Sequence, residues 1–397
     1  MNFLSNKLLF YSGLFLIILI CSFFWSFISL PIDASKSAVG VLILKNINPL
    51  NDTIRYIVFI SVPLVYYFLG IFLIEKKKID EVKDLLKPTF KHANNFYFKD
   101  IKFICFFLIT LIVFDFISSD FKINILEDVF HTGDQLTPAI NYYSNKGFWT
   151  SSFSVHGGAD FFYPILAWKL FDVQTIGSYK FFSFLLIFLV KILSIVLIFY
   201  LIKFLEFKKQ NKIIFFTLFS IFILSLSNFD SITDQLTTRD IFSLTFLIFF
   251  IQLFFNEKRF ILNSLITFTT FLGIVFHVDI GIYLLFLLST YVVYLILSKQ
   301  PKDVFQILSV FLFLIFLFIN IFGLEEFDAM IFHQINLIKN IDAVHAIEYP
   351  QPFFSMGEQH SSRATKALLF QLASGLIIIS IILDKKNKYS QNHKIFF

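Results

Sequence analysis

Apolar residues run along this chain in long, nearly unbroken stretches separated by short polar connections. A bilayer core asks for roughly 20 mostly apolar residues per helix, with about 17 as the lower limit. Ten stretches meet or approach that length: 8–30, 54–74, 103–119, 181–202, 213–227, 241–255, 260–276, 280–298, 304–323 and 367–383. The pattern predicts an all-α polytopic membrane protein of about ten spans. A shorter apolar stretch, 161–171, is too short to cross and reads as an interfacial or re-entrant helix.

The polar connections alternate in character. Loop 75–102 is rich in lysine, and 203–212, 256–259 and 299–303 are basic as well. The intervening loops are acidic and carry six of the eight histidines: His131, His156, His277, His333, His345 and His360. Lys and Arg mark cytoplasmic loops, so both termini are expected inside, with roughly 21 of the 33 basic residues on that side. The polar chemistry is then outside, in loops 120–180, 228–240 and 324–366.

Composition agrees with this reading. Of 397 residues, 57% are hydrophobic and 15% charged, with a mean hydropathy of +0.76, outside the range of soluble domains. The net charge of +5 sums a basic inner and an acidic outer face, so it implies no nucleic-acid partner. The 60 phenylalanines read as lipid-facing and packing surface. Cys21 and Cys105 both lie in apolar runs without metal-ligand spacing.

The densest polar constellation is Glu127-Asp128-Val129-Phe130-His131-Thr132-Gly133-Asp134. As a helix it would set Glu127, His131 and Asp134 on one face. Thr132 and Gly133 weaken a helix there, and a turn feeding a helix with Pro138 in its first turn, capped by Thr137 or Asp134, is the equal alternative. Asn145 to Trp149 reads as a turn with an interfacial aromatic pair. His156-Gly157-Gly158 allows close backbone approach. A metal site from His131, His156 and Asp134 is conceivable, a divalent cation being the one cofactor candidate. Within the spans, Asp115 and Lys191 stand out, because an intramembrane charge pairs or faces a polar cavity.

These features resemble the first outer loop of GT-C-type membrane glycosyltransferases, which include protein mannosyl- and aminoarabinose transferases. The likeness rests on the acidic motif after a span, Ala139, the Gly147 turn, and His-Gly before a short helix ending Lys169-Leu170-Phe171. Arg239-Asp240 and His277-Val278-Asp279 extend it, and His131-Thr132-Gly133-Asp134 is similar to the motif of an uncharacterised bacterial subgroup. The resemblance covers roughly residues 103–300 and implies a core at 103–383, preceded by an extra hairpin at 1–102 and followed by a tail at 384–397.

It implies an enzyme that moves a sugar from a polyprenyl-phosphate donor to an acceptor outside the bacterial cytoplasmic membrane, with inversion. Asp134 would be the general base, with Asp128 as the alternative. His131, Glu127 and His156 are candidates for acceptor or metal binding. Arg239, Arg363 and Lys191 are candidates for the lipid phosphate. The partners are then the lipid-linked sugar and membrane lipid. The sequence leaves the sugar, the acceptor and the oligomeric state open. Two other classes compete: a polysaccharide polymerase or ligase, and a transporter of lipid-linked sugars.

Overall fold

The structure, a computed structural model, describes residues 3–28, 49–74, 129–154, 156–204, 209–224, 237–253, 259–345, 352–353 and 361–383, with isolated positions between 109 and 117. Among the described residues every regular element is helical. Two compact units divide the chain: 1–89 with 336–397, and 90–335.

The first unit contains α1 (Phe3–Phe23), α2 (Pro49–Ile74) and the last helix, Ser361–Leu383. The predicted span 8–30 is helical only to Phe23. A 3₁₀ turn at Trp25–Phe27 follows, and Trp25 packs inward against Phe59 and Phe353, with ring centroids 6.1 and 5.7 Å away. Both the first and the last helix pack on α2, and Phe59, Leu368 and Leu372 lie buried between them.

The second unit carries the rest in order: α3 (Val129–Asn145), α4 (Ala159–Phe171), α5 (Ile176–Phe204), α6 (Lys209–Leu224), α7 (Asp240–Gln252), α8 (Arg259–Phe276), α9 (Val278–Leu297), α10 (Pro301–Phe322) and the start of α11 (Leu324–His345); Ser361–Leu383 is α12. Among the described residues, five helices are long and apolar enough to cross a membrane: α2, α5, α8, α9 and α10. At 1.5 Å per residue, the 18 residues of α8 reach about 27 Å, close to the ~30 Å hydrocarbon core. The chain is therefore an α-helical, membrane-embedded protein.

Helix α8 lies at the centre, packed by α7, α9, α10 and α4. Half of it is buried, against a third or less of the other long apolar helices. Thr267, Thr269 and Thr270 face this interior, and each hydroxyl donates to the carbonyl four residues back at 2.8–3.0 Å. That keeps them from being lone donors where water is scarce. Gly281 lets α9 approach closely, because a Cβ there would stand 2.4 Å from Ile274 Cα.

The predicted short helix at 161–171 is α4, 13 residues long. Helix α11 occupies the first half of the expected outer loop 324–366. Its buried positions Glu326, Met330 and Leu337 form a sparse stripe on a helix of mixed composition.

Candidate functional site

Helix α3 begins at Val129, so Thr132, Gly133 and Asp134 are helical and Pro138 lies well inside rather than in the first turn. The capping role expected of Thr137 is also corrected. Its hydroxyl donates to the Gly133 carbonyl at 2.7 Å, beside the bond that Pro138, lacking an N–H, cannot make. Buried Leu136 and Ala139 pack α3 along α4, which stabilises the weak first half. The backbones of His131 and Asp134 lie in this helix; their side chains, like that of Arg363 in α12, lie outside the description. Glu127, Asp128, Asp115, Cys105 and His360 are outside the described residues altogether.

The turn after α3 is present, and its aromatic pair packs into the protein. Trp149 is 2% exposed, edge-on to Phe161 at 4.6 Å, and Phe148 stacks on Tyr142 at 4.4 Å. The reason lies in α11, whose Glu326 carboxylate accepts the N–H groups of Phe148, Trp149 and Thr150 at 2.9, 2.8 and 3.3 Å and the Thr150 hydroxyl. A buried carboxylate so satisfied fixes the turn and draws the rings inward.

The next loop is fastened to the α8–α9 turn. Gly158 N–H donates to the Val275 carbonyl at 2.8 Å, and Val278 N–H donates to the His156 carbonyl at 3.1 Å. Gly157 stands between them at φ +110°, where a Cβ would lie 2.8 Å from the Phe276 carbonyl oxygen. Only glycine fits this crossing.

Asp160, 3% exposed in the first turn of α4, organises the loop. One oxygen accepts from Ser154 Oγ and from the His156 backbone N–H, both at 2.9 Å; the other lies 3.0 Å from His156 Nδ1. Asp160 thus orients the imidazole and holds the proton on Nδ1. Burial acts against a second proton on His156, but the hydrogen bond and charge of Asp160 outweigh it. Arg239 opposes and Asp279 adds, and the net pKa stands above the ordinary value.

His277 precedes α9 and is enclosed by Tyr163, Phe242 and Phe276. Its Nε2 lies 3.4 Å from the Tyr163 hydroxyl, and its buried Nδ1 has no hydrogen-bond partner among the described residues. Burial, then the charges of Arg239 and His156, hold it well below the ordinary histidine value, so it is neutral.

Arg239, at the start of α7, donates from Nη1 to Asp279 at 3.0 Å, and both side chains are about 40% exposed. Asp160, Asp240 and Asp279 each lie in the first turn of a helix, where the dipole favours a carboxylate. That accounts for the acids here without a ligand. It leaves Arg239 and His156, 38% and 18% exposed, as the basic groups of the cluster.

Of the expected residues, the structure brings His156 and Arg239 together and adds His277, Asp279, Asp160 and Tyr163. Lys191 is elsewhere, fully buried in the middle of α5 with Ser194 and Val190. Among the described residues no three His, Cys, Asp or Glu side chains are placed to share a metal ion. Asp160 could have been found from its i, i+4 spacing to His156; Glu326 could not, being about 177 residues from its partners.

Compared with known proteins, the chain matches no family model, no curated protein and no solved structure. The fold and the site define the class, a helical membrane protein with a polar cluster at one end of its bundle, and nothing narrower.

Proposed function

We propose that the chain is a membrane glycosyltransferase of the GT-C type, working at this end of the bundle. The supporting observation is the partly exposed guanidinium of Arg239, paired with Asp279 where the helices end and close enough to the Asp160-oriented imidazole of His156 for the two charges to act on each other. An arginine there takes a phosphate through charge-assisted hydrogen bonds. In this reading Arg239 holds the phosphate of a polyprenyl-phosphate sugar on the outer side of a bacterial cytoplasmic membrane. Asp134 removes the proton from the acceptor hydroxyl, with Asp128 as the second candidate, and attack at the anomeric carbon inverts it. Arg363, near the start of α12, is the second phosphate candidate.

The transporter reading draws on Lys191, enclosed in mid-helix. Proteoliposomes given polyprenyl phosphates bearing radiolabelled mannose, glucose or aminoarabinose separate the two. The glycosyltransferase yields free polyprenyl phosphate and a glycosylated acceptor, and Asp134→Asn lowers the rate by ~10²–10⁴-fold, the contribution of a positioned base. Asp128→Asn lowers it less. Full transfer in the double variant would refute the mechanism, and label crossing the bilayer without transfer would favour the transporter.

A further inference from the structure

We propose that His156 is the general acid of the transfer step, its Nε2–H protonating the carrier-phosphate oxygen as the anomeric bond breaks, with Asp160 as the positioning residue behind it. The inference rests on the glycosyltransferase reading and assigns His156 to the departing phosphate rather than to the acceptor or a metal.

Three observations carry it. The Asp160 carboxylate occupies Nδ1 and is itself pinned by Ser154 and the His156 backbone, so the ring is fixed and only Nε2 is left for a substrate. Nε2 has no hydrogen-bond partner among the described residues, and the side chain is 18% exposed. The His156 backbone is stapled to the α8–α9 turn, which holds the ring near Arg239, close enough for the two charges to act on each other. A base or acid oriented by a buried carboxylate is the arrangement proton transfer needs.

The step balances. The acceptor O–H proton passes to the Asp134 carboxylate, and the oxygen's electron pair forms the new bond to the anomeric carbon. The bond from that carbon to the phosphate oxygen breaks, its pair stays on the oxygen, and the oxygen takes the proton from Nε2. His156 is left neutral with Nδ1–H still on Asp160, and it regains a proton that Asp134 gives up. Overall one proton moves from acceptor to carrier phosphate.

Among the described residues, the charged and titratable groups acting on His156 are Asp160 from α4, Arg239 at the start of α7, Asp279 from α9 and His277 from the turn. Their balance favours the imidazolium, so turnover, which also needs Asp134 ionised, is lost as pH rises through the elevated His156 value.

The test uses the full chain in proteoliposomes with the sugar phosphate it turns over. His156→Gln, whose amide still donates to Asp160, is expected to lower kcat by ~10²-fold and to abolish the fall at high pH. Rate is restored on the fluoride of the same sugar, whose leaving group needs no proton. Asp160→Asn moves the falling limb to lower pH without raising KM. A His156→Gln enzyme with unchanged kcat and pH profile, or with equal loss on both donors, overturns the assignment. Binding of farnesyl phosphate by the wild-type protein separates the failures: transfer and binding without a His156 effect sinks this inference alone, and neither transfer nor binding sinks both.

Discussion

The two ends of the α8–α9–α10 bundle each hold an arginine–aspartate pair, and they use it differently. At the glutamine end, Arg259 lies 3.6 Å from Asp303 and donates to Gln300 at 3.0 Å, while Gln306 reaches back to Ser264 at 2.9 Å and to the Phe260 carbonyl. These contacts tie the α9–α10 turn to the start of α8, and the pair is 28% and 20% exposed. At the histidine end, Arg239 and Asp279 are more open, and beside them stand an oriented imidazole and a buried neutral one. The same pair closes a turn in one place and is more exposed, beside two histidines, in the other. An ion pair alone is therefore no guide to a site; its surroundings decide.

The largest effect expected from breaking this contrast is on stability. Glu326→Ala removes the acceptor of three backbone N–H groups and a hydroxyl at the histidine end; the buried Trp149 N–H, left orphaned, costs roughly 1–3 kcal/mol. A clear drop in the unfolding temperature in detergent is predicted, larger than that of Gln306→Ala at the opposite end. Equal losses would mean that the 147–150 turn is held by its aromatic packing instead.

Next comes binding. Arg239→Ala should raise the donor KM about ten-fold or more, the loss of a charge-assisted hydrogen bond, whereas Arg259→Ala should leave it unchanged. Kinetics on both variants check this, and similar KM values would erase the distinction between the ends.

The smallest effect is the pH dependence of stability. His277 has a folded-state value below its unfolded one of about 6.5, so the unfolded chain takes the proton first. Its contribution is present above that value and lost as pH falls below it. His156 runs the other way: its raised value adds stability below the unfolded value that is lost as pH rises through the folded one. His277→Phe should therefore flatten the acid side of an unfolding-temperature profile. An unchanged slope would show that His277 is protonated in the folded protein.

Much of this architecture was legible in the sequence because lipid imposes long apolar runs, and α5, α8, α9 and α10 fall close to the expected positions. The histidine end was legible in part: His156, Arg239, His277 and Asp279 stand out as charged or titratable groups beside apolar helices. What was hidden depends on distant partners. The burial of Trp149 depends on Glu326 holding its backbone, and Glu326 has no local signature among the acids at the start of α11. Pro138 reads as a helix start until Thr137 and the packing on α4 are seen.

The most direct measurement is photolabelling of the full chain in proteoliposomes with a farnesyl phosphate carrying a diazirine beside the phosphate. The account predicts adducts in the peptides around His156, Arg239 and His277, competed away by unlabelled polyprenyl phosphate and reduced in Arg239→Ala. Competable adducts confined to the Arg259–Gln300–Gln306 end would contradict it.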